Sequence, residues 1–148
     1  MNKLLMIPAL ATILLTSSFS GCKKDDNSNS VSSQVAALTQ TVQTGKWKVT
    51  LYNDNGTDET NHYTGYEFQF NTGGTVVVTK TGNTTVNGTW TDGNDDSTIK
   101  FVLNFGTTNP FLELNDDWHV TQQSSTLIKL ENESGGGSGT DYLTFEKI

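Results

Sequence analysis

The sequence predicts an all-β fold, a small eight-stranded antiparallel up-and-down barrel preceded by one short helix. From Gly45 to the C-terminus, apolar residues recur at every second position, which is the period of a strand with one buried face. Short runs rich in glycine, asparagine and aspartate separate these segments, as expected for a meander. Because open sheet edges promote aggregation, a meander of this length favours closure into a barrel.

The first 21 residues are predicted to be a signal peptide. Met1, Asn2 and Lys3 form a short basic start, and the apolar segment Leu4–Leu15 follows without a charge. A segment of this length is too short to cross a bilayer of roughly 30 Å, but it matches the core of a signal peptide.

A lipid attachment site is predicted at Cys22, the single cysteine of the chain. The sequence Phe19-Ser20-Gly21-Cys22 resembles the lipobox of bacterial lipoproteins, although Phe19 stands where leucine is usual. The resemblance implies cleavage before Cys22, a diacylglyceryl group on its thiol and a further acyl chain, such as palmitate, on its amine. Several acyl chains would hold a small domain stably on a membrane. An ordinary signal peptide with an incidental cysteine is the alternative.

The next residues bear on location. Lys23-Lys24-Asp25-Asp26 resembles the export signal of surface lipoproteins of Bacteroidota, and the alternative is a charged start to a solvated linker. We therefore expect a lipid-anchored protein of the outer membrane, exposed at the cell surface.

The chain then divides into a linker, residues 22–33, and one domain, residues 34–148. Asn27–Ser33 consists mostly of serine and asparagine, which predicts a flexible tether. Gln34–Thr44 places four apolar residues at spacings of three and four, which predicts a short amphipathic helix that ends at Gly45.

Turn residues bound the predicted strands. Hairpin turns are expected at Asn71–Gly74, Gly82-Asn83 and Asp92–Asn94, and a pliant turn at Ser134–Gly139. The longest interruption is Gly106–Asp117. The eight predicted strands are Lys46–Tyr52, Tyr63–Phe70, Thr75–Lys80, Thr85–Thr91, Thr98–Phe105, Trp118–Gln123, Thr126–Glu131 and Asp141–Lys147.

Three short motifs together indicate a family. Gly45-Lys46-Trp47 follows the helix and opens the first strand, Gly88-Thr89-Trp90 lies in the fourth, and Trp118-His119-Val120 opens the sixth. This order resembles the lipocalins, and the small lipocalin-like domains of Bacteroidota lipoproteins in particular. Classical lipocalins stack an arginine over the first tryptophan. This chain contains no arginine, and Lys147 is available for that role.

The resemblance implies non-enzymatic binding of a small apolar ligand inside the barrel. The alternative is a core filled by side chains, since an eight-stranded barrel is only just wide enough for one small ligand. The predicted lining consists of large aromatic residues: Trp47, Phe68, Phe70, Trp90, Phe101, Phe105, Trp118 and Phe145.

Two further functions stay open if the barrel is filled. The long loops Asn53–His62 and Gly106–Asp117 would contact another envelope protein in one of them. In the other, exposed aromatic residues such as Tyr52, Tyr63 or Phe111 would bind a glycan.

Several function classes are disfavoured. The net charge of −7, without arginine, argues against nucleic acid binding. No nucleophile or phosphate-binding motif occurs, and neither His62 nor His119 has a carboxylate as sequence neighbour, so we expect neither an enzyme nor a cofactor. Asp92–Asp96 lacks the glycine and glutamate of an EF-hand loop, and a hairpin turn explains it, so no metal site is predicted.

Overall fold

The computed structural model describes residues 26–81, 86–133 and 139–148, with backbone alone for 26–29. The predicted signal peptide, Cys22 and the Gly82-Asn83 turn lie outside the described residues, as does most of the predicted Ser134–Gly139 turn. Among the helices that are described, none combines the length and hydrophobicity needed to traverse a lipid bilayer.

The described chain is mostly strand. One helix, α1, spans Asp26–Val42, and two 3-10 helices span Thr60–Tyr63 and Phe111–Leu114. The strands are β1 Trp47–Asp54, β2 Thr57–Asp58, β3 Tyr66–Phe70, β4 Thr75–Lys80, β5 Val86–Asp95, β6 Thr98–Asn104, β7 Asp116–Gln123, β8 Leu127–Glu133 and β9 Thr140–Lys147.

The sheet closes into the predicted eight-stranded antiparallel barrel. From β3 to β9 each strand pairs with the next in the chain, β1 pairs with β3, and β9 returns to β1. In the closing pair, Trp47 lies opposite Lys147 and Asn53 opposite Tyr142. The two-residue strand β2 is an addition that pairs only with the end of β1. The predicted fold class is therefore confirmed.

Alternation along the strands fills the inside of the barrel. In β6, Ile99, Phe101 and Leu103 are buried, whereas the intervening residues keep exposed surface. The same period gives β3 its buried Phe68 and Phe70. Because burial of apolar surface is the main favourable term in folding, this inward-facing set accounts for most of what holds the barrel together.

The helix is longer than predicted and begins at Asp26 rather than Gln34. The predicted flexible tether at Asn27–Ser33 is therefore wrong, because these residues lie within α1. The reason is Val31, which is buried together with Leu38 and Val42. These positions, seven and four residues apart, lie on one face of a helix and extend its apolar stripe toward the N-terminus.

Two local predictions are also wrong. The second predicted strand begins at Tyr66 rather than Tyr63, because Tyr63 ends a 3-10 helix and Gly65 turns the chain at φ +80°. The predicted Asp92–Asn94 turn is strand, since β5 continues to Asp95. The chain reverses instead at Asp96 and Ser97, with φ of 44° and 70°. Aspartate tolerates this left-handed conformation better than most residues.

Candidate functional site: barrel interior and loop cap

The eight predicted ligand-lining residues lie in the core of the barrel. None of them retains more than 4% of its accessible surface. A side chain lining a water-filled space would keep accessible surface, so at these eight positions the barrel is packed.

Ring contacts show what fills the space. Phe70 lies at the centre, with ring centroids 5.7 Å from Trp90, 5.5 Å from Phe101 and 5.7 Å from Phe145. Phe68 contacts Phe145 at 5.3 Å. All four of these pairs meet edge to face, a favoured arrangement of aromatic rings. The packing favours the filled-core alternative.

Each of the three tryptophans also holds a connecting segment against the barrel. The indole N–H of Trp47 donates to the carbonyl of Val42 at 3.0 Å, at the end of α1. The indole of Trp90 donates to Asn71 O at 3.1 Å, in the β3–β4 turn. Trp118 donates to Leu114 O at 3.0 Å, in the second 3-10 helix. These bonds indicate structural roles for the indole groups.

One end of the barrel is covered by the two longest loops, residues 53–65 and 106–115, which we call the loop cap. A hydrogen bond from Tyr63 ties them to each other, and one from Tyr52, on β1, ties the second loop to the barrel wall. The Tyr63 hydroxyl donates to Pro110 O at 3.1 Å, and the Tyr52 hydroxyl donates to Glu113 O at 2.9 Å. The ring of Phe111 packs against Tyr63 and, edge to face at 5.0 Å, against Tyr66.

The aromatic residues named for glycan binding are not exposed. Tyr52, Tyr63 and Phe111 each retain 3% or less of their accessible surface. That expectation is wrong because their rings close the core and two of their hydroxyls bond across the cap. The large hydrophobic residue that the described cap does expose is Leu112, at 40%.

A polar cluster lies on the loop cap. His62 Nδ1 is 3.4 Å from Glu113 Oε2 and 3.7 Å from Glu59 Oε2. The Tyr63 hydroxyl donates to the same Glu113 Oε2 at 3.2 Å. The side chains of His62, Glu59 and Glu113 keep 41%, 27% and 33% of their surface, so solvent reaches the cluster.

Sequence reasoning missed this cluster. The pair Glu59 and His62 could have been found from the sequence, because the two residues are only three positions apart. Glu113 is 51 residues away from His62, and only the folding of the second loop over the first brings it near. His119 lies elsewhere, on β7, with a half-buried side chain.

The tyrosines that bond to the second loop, Tyr52 and Tyr63, keep their hydroxyl protons. Burial raises the pKa of Tyr63 above its ordinary value, and the charge of Glu113 adds to the effect. Burial also raises the pKa of Tyr52, with Asp54 contributing next. Both hydroxyls therefore act as hydrogen-bond donors. On the exposed side of the cap, a hydrogen bond from the Thr60 side chain lowers the pKa of Asp58.

Two surface grooves adjoin the helix. One, of about 360 Å³, lies between α1, the β3–β4 turn and β5, with Thr39, Gly74 and Trp90 on its walls. The other, of about 200 Å³, lies where Gln34 meets β7. Both grooves are open to solvent. Of the eight predicted lining residues, Trp90 alone lies on the wall of one of these grooves, and neither groove is lined by the other seven.

Comparison with known proteins yields one likeness. No family model and no curated protein matches this chain. A DUF4847 family protein from Bacteroides vulgatus ATCC 8482, whose crystal structure was determined at 1.00 Å resolution, has a similar fold. It is 20% identical, the match covers 74% of this chain and 96% of that chain, and the TM-score is 0.49. A similarity at this level assigns neither ligand nor activity.

Proposed function

We propose that this chain is a lipid-anchored protein of the bacterial cell envelope that recognises another envelope protein through the loop cap, without catalysis. One contrast supports the proposal. The eight residues that would line an internal ligand site are packed against one another, whereas the two longest loops are joined into a single surface at one barrel end.

The loop cap has the properties of a preorganised recognition surface. The hydrogen bond from Tyr63 to Pro110 joins the loops, and that from Tyr52 to Glu113 holds the second loop to β1; both restrict the loop conformations before a partner arrives, which lowers the entropic cost of binding. The two loops carry Asp54, Asp58, Glu59 and Glu113 and contain neither lysine nor arginine. With Leu112 exposed on the same cap, the partner chemistry that fits is an apolar contact flanked by basic side chains.

Anchoring and location rest on the sequence. The lipobox-like Phe19-Ser20-Gly21-Cys22 and the following Lys23-Lys24-Asp25-Asp26 support attachment to the outer membrane, facing outward. From Gly45 onward the chain carries 14 acidic residues and 6 lysines, a balance of −8. This negative charge opposes contact of the domain with nucleic acid and with anionic lipid. The domain is therefore attached to the membrane through its lipid anchor alone.

Site-specific photo-crosslinking in intact cells tests partner binding. A photoreactive residue replaces Thr107 on the loop cap in one strain, and Thr72, which is also exposed and lies in the β3–β4 turn, in the control strain. We expect a discrete crosslinked product from position 107, its loss on the additional change Leu112→Asp, and no such product from position 72. Equal products from both positions, or an effect of Leu112→Asp on neither, would contradict the proposal.

Native mass spectrometry tests the other interpretation, an apolar ligand inside the barrel. The chain is purified gently from the producing bacterium's envelope and measured before and after denaturation. We expect the mass of the lipidated chain alone. A reproducible additional mass that denaturation releases would instead establish an internal ligand and replace the partner hypothesis.

Fatty-acid labelling tests the anchor. Cells grown with a labelled fatty acid should incorporate label into the wild-type chain, and Cys22→Ser should abolish both the label and sedimentation with outer membranes. Protease added to intact cells then distinguishes an outward-facing domain, which is digested, from a periplasmic one.

A further inference from the structure

The polar cluster of the loop cap has the spacing of a metal-binding site. One ligand atom from each of Glu59, His62 and Glu113 lies within 4.8 Å of the other two. Zinc binds histidine nitrogen at about 2.0–2.1 Å and carboxylate oxygen at about 2.0–2.2 Å. Tetrahedral geometry then places neighbouring ligand atoms about 3.3–3.6 Å apart. The two distances from His62 Nδ1, 3.4 and 3.7 Å, are close to this edge length.

We propose that Glu59, His62 and Glu113 bind one divalent transition-metal ion, with Zn²⁺ as the reference ion. His62 contributes Nδ1, the two glutamates contribute one carboxylate oxygen each, and the fourth coordination position is open to water. The ion joins the two loops of the cap, since Glu59 and His62 belong to residues 53–65 and Glu113 to residues 106–115.

The surroundings of Glu113 support this assignment. Its Oε2 lies 3.2 Å from the Tyr63 hydroxyl, whose single proton is shared between this oxygen and Pro110 O at 3.1 Å. Hydrogen bonds of this kind orient metal-ligating carboxylates. Glu113 is therefore held toward His62 before any ion binds, and little side-chain entropy is lost when one does.

The type of ligand indicates the type of metal. Imidazole suits Zn²⁺, Co²⁺, Ni²⁺ and Cu²⁺, whereas Mg²⁺ and Ca²⁺ prefer six or more oxygen ligands. A set of one nitrogen and two carboxylate oxygens therefore favours the transition metals. The two carboxylates beside His62 carry two negative charges, and an imidazolium would neutralise only one of them. This favours binding of a doubly charged ion.

An ion pair between protonated His62 and the two glutamates is the competing explanation of the same geometry. The two explanations differ in what they require. The ion pair is complete without a ligand and weakens with salt, whereas the metal site gains stability when Zn²⁺ is added.

Isothermal titration calorimetry with zinc chloride tests the proposal on the full chain, without a polyhistidine tag, in detergent and metal-free buffer. We expect one Zn²⁺ per chain. Because each ligand contributes directly, His62→Gln and Glu113→Gln should each weaken binding by more than about tenfold, while the matched control His119→Gln leaves it unchanged. Circular dichroism confirms that each variant is folded.

Cobalt absorption provides a second readout that is independent of folding stability. Co²⁺ bound to the wild-type chain should give the intense visible bands of a tetrahedral site, which excess Zn²⁺ removes and which His62→Gln abolishes. The absence of both zinc binding and cobalt bands overturns the proposal, and so does binding that survives in His62→Gln. Because neither experiment needs a partner, their outcome is separate from that of the proposed recognition function.

Discussion

The ammonium nitrogen of Lys147 lies 4.8 Å from the centre of the Trp47 ring, where the first and last strands of the barrel pair. The same Trp47 donates its indole N–H to Val42 O at the end of α1. The Lys147 cation and the C-terminal end of α1 therefore both contact Trp47, where β1 and β9 close the barrel. In this chain, which has no arginine, Lys147 supplies that cation.

Removing the charge of Lys147 should destabilise the barrel measurably. Lys147→Met retains an unbranched stem of similar length next to Gly45 and deletes the cation, so we expect a loss of about 0.5–1 kcal/mol in the free energy of unfolding. Lys147→Ala should cost more, because it also removes that stem. Urea denaturation followed by tryptophan fluorescence measures both. Lys129→Met, on the exposed face of β8, is the control, and a loss equal to that of Lys147→Met would contradict the cation–π assignment.

Gly88 should be the least replaceable glycine of β5. A Cβ at this position would lie 2.5 Å from Phe105 Cδ1 and 2.7 Å from Asn104 O. The ring could shift, but the backbone oxygen belongs to the paired strand β6. We therefore expect Gly88→Ala to destabilise the barrel by about 1–3 kcal/mol, measured by urea denaturation.

Gly93 provides the matched control for this substitution. It lies in the same strand, and a Cβ there would meet nothing within 4 Å. Gly93→Ala should leave the denaturation midpoint unchanged or raise it slightly, since alanine reduces the entropy of the unfolded chain. A comparable loss from both variants would show that the close contacts with Phe105 and Asn104 are not what makes Gly88 necessary.

The fold could be predicted from the sequence because period-two alternation and turn residues are local signals. Errors arose where a local signal was ambiguous. Asp92–Asn94 has the composition of a turn, yet Gly93 pairs with Lys100 in the sheet and the chain reverses after Asp95. The serine- and asparagine-rich start of α1 has the composition of a linker, and only the docking of Val31 on the barrel reveals its structure.

The site was harder to predict than the fold. Period two identified the inward-facing aromatic residues correctly, but alternation does not tell whether inward-facing rings leave a cavity or fill it. The exposure of loop aromatics was predicted wrongly because loops are usually solvated, and here Tyr63 and Phe111 close the core. Contacts such as that between His62 and Glu113 join distant segments and have no local signature.

Trp118 should be required for stability rather than for ligand binding alone. It is fully buried, and its indole N–H satisfies Leu114 O. Trp118→Phe leaves that carbonyl without its donor, at a cost of about 1–3 kcal/mol. Trp118→Ala also opens a cavity and should cost about 3–5 kcal/mol, a large part of the stability of a domain this size. Thermal and urea denaturation measure both losses.

The exposed neighbour Gln122 is the control on the same strand, where Gln122→Ala should change stability by less than about 0.5 kcal/mol. If Trp118→Ala instead unfolds at the wild-type midpoint, space remains around residue 118. The assignment of a filled core would then be wrong, and the internal-ligand interpretation would regain support.

Stability toward acid should depend on the ion pair between Lys100 on β6 and Asp117 on β7. The hydrogen bond from Lys100 lowers the pKa of Asp117 in the folded chain. A lowered folded pKa adds stability at pH values above the unfolded pKa of about 3.9, and this is lost as the pH falls through the folded pKa. Asp117→Asn should therefore flatten the acid limb of the stability profile.

The same bond raises the pKa of Lys100, so its contribution is present below the unfolded value of about 10.4 and is lost as the pH rises through the folded value. Urea midpoints measured from about pH 2 to 5 test the acid limb, and Asp96→Asn in the β5–β6 turn is the control. Because the side chain of Asp117 is 57% exposed, we expect a small effect that added salt reduces. An acid limb that is identical in Asp117→Asn and wild type would show that the pair contributes nothing to folding.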